Sequence, residues 1–190
     1  MEQSQVLEIL KDSEALLEGH FELRSGLHSD RFFQCANVLR FPDRAEQLCG
    51  AVVARAQADG GELKADAVVA PALGGIIVGH EVARALGLPC VFAEKADGVL
   101  VMRRFAIEAG KRYVVAEDVI TRGGRVQETI DIVQKAGASV AAILLLVDRS
   151  GGRVSFPYPT FSLVQMEPVT YEPGACPLCE QGLPLVHPGS

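Results

Sequence analysis

The sequence contains no apolar run long enough to cross a bilayer. Its longest, Val140 to Val147, falls far short of the roughly 20 residues that a spanning helix needs. The first residues include Glu2, Glu8, Lys11, Asp12 and Glu14 and lack the apolar stretch of a secretory leader. Positive charge is scarce: the formal net charge is −6, which argues against nucleic acid as the main partner. The five cysteines (Cys35, Cys49, Cys90, Cys176 and Cys179) are odd in number and irregularly spaced. That argues against a disulfide framework and points to a reducing, cytoplasmic setting. Only Cys176-Pro177-Leu178-Cys179 has metal-ligand spacing, and no second such pair exists to complete the four donors of a structural zinc. His187 is close in sequence but is not a convincing third ligand. The expectation is two reduced cysteines in a C-terminal tail, with zinc the lesser alternative. Internal repeats and low-complexity tracts are also absent.

What is present suits one domain of ordinary size: 190 residues, of which 48% are hydrophobic and 22% charged. A first helix is expected from Ser4 to Glu18, with Leu16 and Leu17 in its apolar stripe and Gly19 ending it. Two short strands, about Phe21–Leu23 and Arg31–Cys35, are expected around a polar turn. Pro42 then opens a helix to about Ala58. From Ala65 strands alternate with helices. Strand Ala67–Ala70 leads through the turn Pro71-Ala72-Leu73-Gly74-Gly75 into helix Ile76–Leu86, and strand Pro89–Ala93 follows. Residues 94–110 read as irregular and charged. Strand 113–120, helix Arg125–Ala136 and strand Val140–Val147 complete the pattern, and the Pro-rich tail from Glu167 reads as a weakly structured appendage or a strand-bearing lid. Alternation of this kind predicts an α/β fold with a mostly parallel sheet flanked by helices, binding ligands at the carboxyl ends of its strands.

Three features fall on that edge: the 71–75 turn, the segment Glu117 to Arg125, and Asp148-Arg149. In the second, an apolar strand ends in Glu117-Asp118, then Thr121-Arg122-Gly123-Gly124-Arg125 opens a helix. Glycines at a helix N-terminus let backbone N–H groups approach a phosphate. The two carboxylates are placed to accept hydrogen bonds from sugar hydroxyls. No Gly-Lys-Ser/Thr follows, so this is not a Walker A loop. A site for a sugar phosphate is the reading, and the paired glycines of the 71–75 turn offer a second anion cluster.

The segment Val114 to Gly124 resembles the phosphoribosyl-pyrophosphate (PRPP) signature of the type I phosphoribosyltransferases. Arg122 and Arg125 depart from it, standing where small or hydroxyl residues are commoner. The stretch Leu23-Arg24-Ser25-Gly26-Leu27-His28-Ser29-Asp30-Arg31-Phe32-Phe33 is similar to the N-terminal hood of the members of that family that use orotate, as is Asp148-Arg149. The similarity runs from about Leu16 to Gly152. It looks closest to a bacterial subgroup that also carries Phe92-Ala93-Glu94-Lys95, Arg103-Arg104-Phe105 and a C-terminal Cys-Pro-Leu-Cys.

The resemblance implies a hood of about 1–40 together with a tail of about 153–190, around a core of about 41–152. It implies that Glu117, Asp118, Thr121, Arg122, Gly123, Gly124, Arg125, Leu73 and Gly74 bind PRPP. Lys95, Arg103 and Arg104 would sit on a mobile loop that closes over pyrophosphate in the partner subunit of a homodimer. Asp118, Lys95 and Arg103 would be the catalytic residues, and Arg24, Phe32, Phe33, Thr121 and Arg149 would hold orotate. Mg²⁺ would be carried mainly by PRPP rather than by protein ligands. Two departures bear on the pyrophosphate: Gly74 replaces a lysine of the family pattern, and Glu94 stands where an arginine is common. The alternatives are a transferase for a purine base, which would differ in the hood, and a PRPP-sensing regulator. The regulator expects a basic DNA-binding module, which an acidic chain does not offer.

Overall fold

The structure, a computed structural model, describes residues 1–23, 25–167 and 169–188. Its first helix stops well before Glu18. Helix α1, Gln3–Asp12, ends where Ser13 folds its hydroxyl back onto the carbonyls of Ile9 and Leu10, at 2.7 and 3.2 Å. Glu14 adopts a left-handed φ of 56°, and Ala15 N–H closes on Leu10 O at 2.8 Å. A serine that bonds the preceding turn competes with helix propagation. Leu16 and Leu17 therefore belong to strand β1, Leu16–Glu22, and Gly19 lies inside that strand rather than ending a helix. Strand β2, His28–Phe33, pairs with it antiparallel, Leu16 opposite Phe33 and Glu22 opposite His28. The short helix α2, Ala36–Leu39, and the long helix α3, Pro42–Gly60, follow.

The main sheet comprises β3 (Ala67–Pro71), β4 (Cys90–Ala96), β5 (Val99–Val101), β6 (Arg112–Ile120), β7 (Ser139–Asp148) and β8 (Thr160–Gln165), in the order β5-β4-β3-β6-β7-β8. All neighbours are parallel except β4 and β5. Helix α4, Gly74–Leu86, and helix α5, Gly124–Lys135, are the crossovers. Strand side chains alternate between faces. Val114, Ala116, Leu144 and Leu146 pack toward α1, α3 and α4, whereas Val69, Val115, Ile143 and Leu145 pack under Val126, Ile130 and Val133 of α5. Each fully buried Leu, Ile or Val contributes about 1.5–3 kcal/mol, so this double-sided core fixes the rim on which the strands end.

Two expectations change here. Residues 94–110 are not irregular throughout: 94–96 extend β4, and Asp97 (φ 49°) and Gly98 (φ 88°) turn the chain into β5. An Asp-Gly pair is the favoured two-residue hairpin turn. The segment assigned to the tail contributes β8, which pairs along β7 from Ile143–Thr160 to Asp148–Gln165. Further on, β9, Thr170–Tyr171, adds to β2 in a three-stranded hood sheet, and helix α6 spans Pro177–Glu180. Val186 donates to His20 O at 2.8 Å and accepts from Glu22 N–H at 3.0 Å, so the tail returns along the outer side of β1.

Candidate active site

β6 carries Glu117 and Asp118 to the carboxyl end of the sheet, and the chain turns at Thr121, Arg122 and Gly123 into α5. Gly123 has a φ of 72°, and a Cβ there would stand 2.7 Å from Val154 Cγ1. Backbone and packing both demand glycine at this point. The turn walls a cavity of about 250 Å³ lined by residues 119–126 and Glu128. The first-turn N–H groups of α5 have no partners within the helix, and its dipole favours an anion there. Thr121 and Arg122 are exposed at the lip, while Arg125 is tied to Glu128, Nη1 to Oε2 at 3.0 Å.

The acid pair is seated against the start of α4. A Cβ on Gly74 would collide with Asp118 Oδ2, and one on Gly75 would lie 2.9 Å from Glu117 Oε1. The absent lysine at position 74 thus goes with the space that Asp118 occupies. Asp118 N–H donates to Glu117 Oε1 at 3.1 Å, and Val119 N–H to Asp118 Oδ1 at 2.8 Å. Burial, and then the adjacent Asp118 charge, hold the Glu117 carboxyl well above the usual range, with Arg125 pulling it back. Burial also raises Asp118, opposed by its hydrogen bonds with Glu117 and Val119. Two crowded carboxyls facing two helix N-termini form a site for hydroxyls and a cation between two places for anions. Leu73, at the 71–75 turn, is 84% exposed.

Across the rim, Arg149 holds its guanidinium 5.4 Å from the centroid of the Phe33 ring. Its Nε is buried without a hydrogen-bond partner among the described residues, and burial lowers its pKa, with the Cys35 thiol acting the other way. Asp148 supports this corner by accepting from Ser150 N–H at 2.7 Å and from Gln165 Nε2 at 3.4 Å. Phe33 is buried on the Arg149 side, whereas Phe32 turns to the other face and packs on Phe21, ring centroids 5.9 Å apart. Of the two aromatic side chains, Phe33 alone meets Arg149, as the alternation of a strand dictates. Arg24 lies outside the described residues.

Cys35 was not foreseen from the sequence. It is buried within electrostatic reach of Arg149 and the acid pair, and its thiol is pushed well up by burial, then by the Asp118 charge. No motif marks it; only its position two residues beyond Phe33 could have suggested it.

The loop cations are placed differently from one another. Arg104 forms an ion pair with Glu94 across the base of the β4–β5 hairpin, where Phe92 and Phe105 also meet edge to face at 5.0 Å. Lys95 and Arg103 are exposed and carry no ion pair among the described residues. The structure therefore gathers Gly74, Glu117, Asp118, residues 121–125, Phe33 and Arg149 on one rim. It leaves Phe32 behind the hood strand and the cations on a projecting hairpin.

The phosphoribosyl transferase domain family matches residues 42–167. The chain belongs to the phosphoribosyltransferase family. Two curated relatives that match along its whole length are orotate phosphoribosyltransferases. That of Heliobacterium modesticaldum is 48% identical over 100% of this chain and 99% of its own, and that of Pelotomaculum thermopropionicum is 49% identical over 100% and 98%. Among solved structures, orotate phosphoribosyltransferase from Aeropyrum pernix superposes with a TM-score of 0.68 at 25% identity, covering 84% of this chain and 92% of that one. An adenine phosphoribosyltransferase from Thermoanaerobacter pseudethanolicus has a TM-score of 0.60 at 20% identity, covering 70% and 87%, and shares the fold. No described helix is long and apolar enough to cross a membrane.

Proposed function

We propose that the protein transfers the 5-phosphoribosyl group of PRPP to orotate, giving orotidine 5′-phosphate and pyrophosphate in pyrimidine nucleotide synthesis. The observation that carries the choice of base is Arg149. A half-buried guanidinium with an unpartnered Nε above an aromatic ring suits a flat heterocycle bearing a carboxylate. Hydrogen bonds to such a charged group are worth about 1.5–3 kcal/mol each. The full-length relatives support the same reading.

In this reading the cavity at α5 takes the 5-phosphate, and Glu117 and Asp118 accept the ribose hydroxyls. Pyrophosphate lies over the α4 turn, where the hairpin of a second copy of the chain closes on it. Orotate N1 bonds to C1′ as the bond from C1′ to the pyrophosphate oxygen breaks. The transition state is loose and oxocarbenium-like, so the chain acts by positioning its substrates and by meeting charge on the leaving group. Among the described residues the rim brings no three metal-binding side chains together, only the adjacent acid pair. Mg²⁺ would be held mainly by substrate oxygens and water, with Glu117 and Asp118 as the protein carboxylates beside it. The ion would supply charge neutralisation at the pyrophosphate.

A homodimer is part of the proposal, each hairpin reaching its partner's pyrophosphate. Unpaired Lys95 and Arg103 support it, as do exposed Leu73, Ile77 and Val99 near the α4 turn and the hairpin. A cytoplasmic setting is supported by the five free cysteines.

The test is a base panel. Purified protein with PRPP and Mg²⁺ is offered orotate, uracil, adenine, hypoxanthine and xanthine while pyrophosphate release is followed. Release with orotate alone is expected. Release with a purine would remove Arg149 and Phe33 from the base site. PRPP binding without release for any base would favour a regulator.

A further inference from the structure

Away from the rim, two histidines are buried in the hood: His20 is 3% exposed and His28 is 5%. Glu22 stands opposite His28, and His20, two residues back along β1, shares that face of the hairpin. The rings meet edge to face with centroids 4.9 Å apart, and His20 Nε2 lies 2.9 Å from His28 Nδ1. The tail brings two sulfurs to the same point. Cys176 Sγ is 3.5 Å from His20 Nε2, while Cys179 Sγ is 3.7 Å from His20 Nε2 and 3.3 Å from His28 Nδ1. All four donor atoms lie within 4.8 Å of one another.

These separations can be set against a tetrahedron. With zinc bonds of about 2.0–2.1 Å to nitrogen and 2.3 Å to sulfur, nitrogen and sulfur should stand about 3.5 Å apart and the two nitrogens about 3.3 Å. Three of the four nitrogen–sulfur distances, 3.5, 3.7 and 3.3 Å, straddle the first figure, the fourth lies within 4.8 Å, and the nitrogens at 2.9 Å are slightly closer than the second. The surroundings favour a metal as well. His20 Nδ1 lies 2.9 Å from Leu183 O, a carbonyl that can only accept, so Nδ1 carries the proton and Nε2 turns a lone pair into the cluster. Cys176 is buried at the N-cap of α6, and the helical turn over Pro177 and Leu178 brings Cys179 back beside it. Two thiolates and two neutral imidazoles balance a divalent charge, and Cys179 is exposed, which leaves a way in.

We propose that His20, His28, Cys176 and Cys179 bind one zinc ion in a closed four-ligand site that fastens the C-terminal tail to the hood. Each cysteine loses its thiol proton to solvent as the ion binds. No ligand position is left open for substrate, so the site is structural. Sulfur and imidazole donors select zinc over Mg²⁺. His187 is not a ligand; it pairs with Glu22, Nε2 to Oε2 at 3.4 Å.

The experiment is elemental analysis of the full chain, freed of any purification tag and never exposed to chelator. About one zinc per chain is expected, falling below about a tenth in Cys176→Ser and His28→Ala and staying near one in His187→Ala. The wild-type chain, stripped and refilled with Co²⁺, should show the visible absorption of tetrahedral cobalt and a thiolate-to-metal band in the near ultraviolet. This readout does not depend on any variant folding, nor on turnover. A chain that holds no zinc and gives no such cobalt spectrum would overturn the site, as would full zinc in both variants or a Cys176–Cys179 disulfide in the freshly purified protein.

Discussion

The rim and the hood each gather polar side chains, but they are assembled in opposite ways. The rim collects residues from the ends of neighbouring parallel strands, and each group is contiguous in sequence: Glu117 to Arg125, the 71–75 turn, Asp148-Arg149. The hood cluster joins His20 and His28 to Cys176 and Cys179, partners up to 159 positions apart. The rim keeps polar groups under strain, a crowded carboxyl pair raised by burial and an arginine whose Nε has no hydrogen-bond partner among the described residues, which costs stability. The hood cluster gives each of its groups a partner and serves stability. Changes to the charged side chains of the rim should therefore cost activity while sparing, or even raising, stability.

The largest expected effect is that of Arg149→Ala. Removing a buried cation from its charged partner typically costs 2–5 kcal/mol, so kcat/KM for orotate should fall by about thirtyfold to several thousandfold, with KM for PRPP nearly unchanged. Equal losses for both substrates in steady-state kinetics would take Arg149 off the carboxylate. Asp118→Asn comes next. Losing hydrogen bonds between a charged carboxylate and ribose hydroxyls, at about 1.5–3 kcal/mol, should lower kcat/KM for PRPP about ten- to a hundredfold without lowering the melting temperature. Wild-type turnover would remove Asp118 from the site.

Gly123→Ala tests where the two kinds of cost meet. A left-handed backbone and a Cβ only 2.7 Å from Val154 should destabilise the fold by about 1–3 kcal/mol, read by urea unfolding, and weaken PRPP binding as the cradle shifts.

Glu117→Gln should separate function from stability. The folded-state pKa of Glu117 lies above its ordinary value because burial, then Asp118, oppose ionisation. Between those two values the unfolded chain has lost the proton that the folded chain keeps, so stability falls as pH rises through that window and stays lower above it. The variant lacks this loss. It should melt higher than wild type near pH 8, no higher near about pH 4, and use PRPP poorly. Identical melting curves at both pH values would mean that Glu117 is not strained. Smallest of all is Arg104→Ala: Arg104 is 64% exposed, and its pair with Glu94 should contribute less than about 1 kcal/mol in the same unfolding assay.

Legibility in the sequence follows the same division. The strands and helices from Ala67 to Val147 were readable because parallel strands buried on both faces are continuous apolar runs punctuated by glycine. The acid pair and the cradle beside it were readable because one short segment contains them whole. Elements decided by long-range pairing were not. Leu16 and Leu17 fit a helical stripe until the Ser13–Glu14 turn redirects them into β1, and β8 is a short run behind Pro157 and Pro159 that becomes a strand only against β7. Asp97-Gly98 did mark a hairpin, but the charge around it concealed the signal. For the hood cluster, an eight-residue gap between His20 and His28 matches no linear ligand spacing; it takes the β1–β2 register to make them neighbours.

That arrangement also has an order in time. On the ribosome the two histidines are made first and the two cysteines last, after every strand of the main sheet. A chain released early, before residue 176, could build the whole rim and still lack half of the donors that hold the tail in place. Capture of the tail thus waits until the strands of the rim have been made, and a chain cut before residue 176 would be marked by a less stable hood.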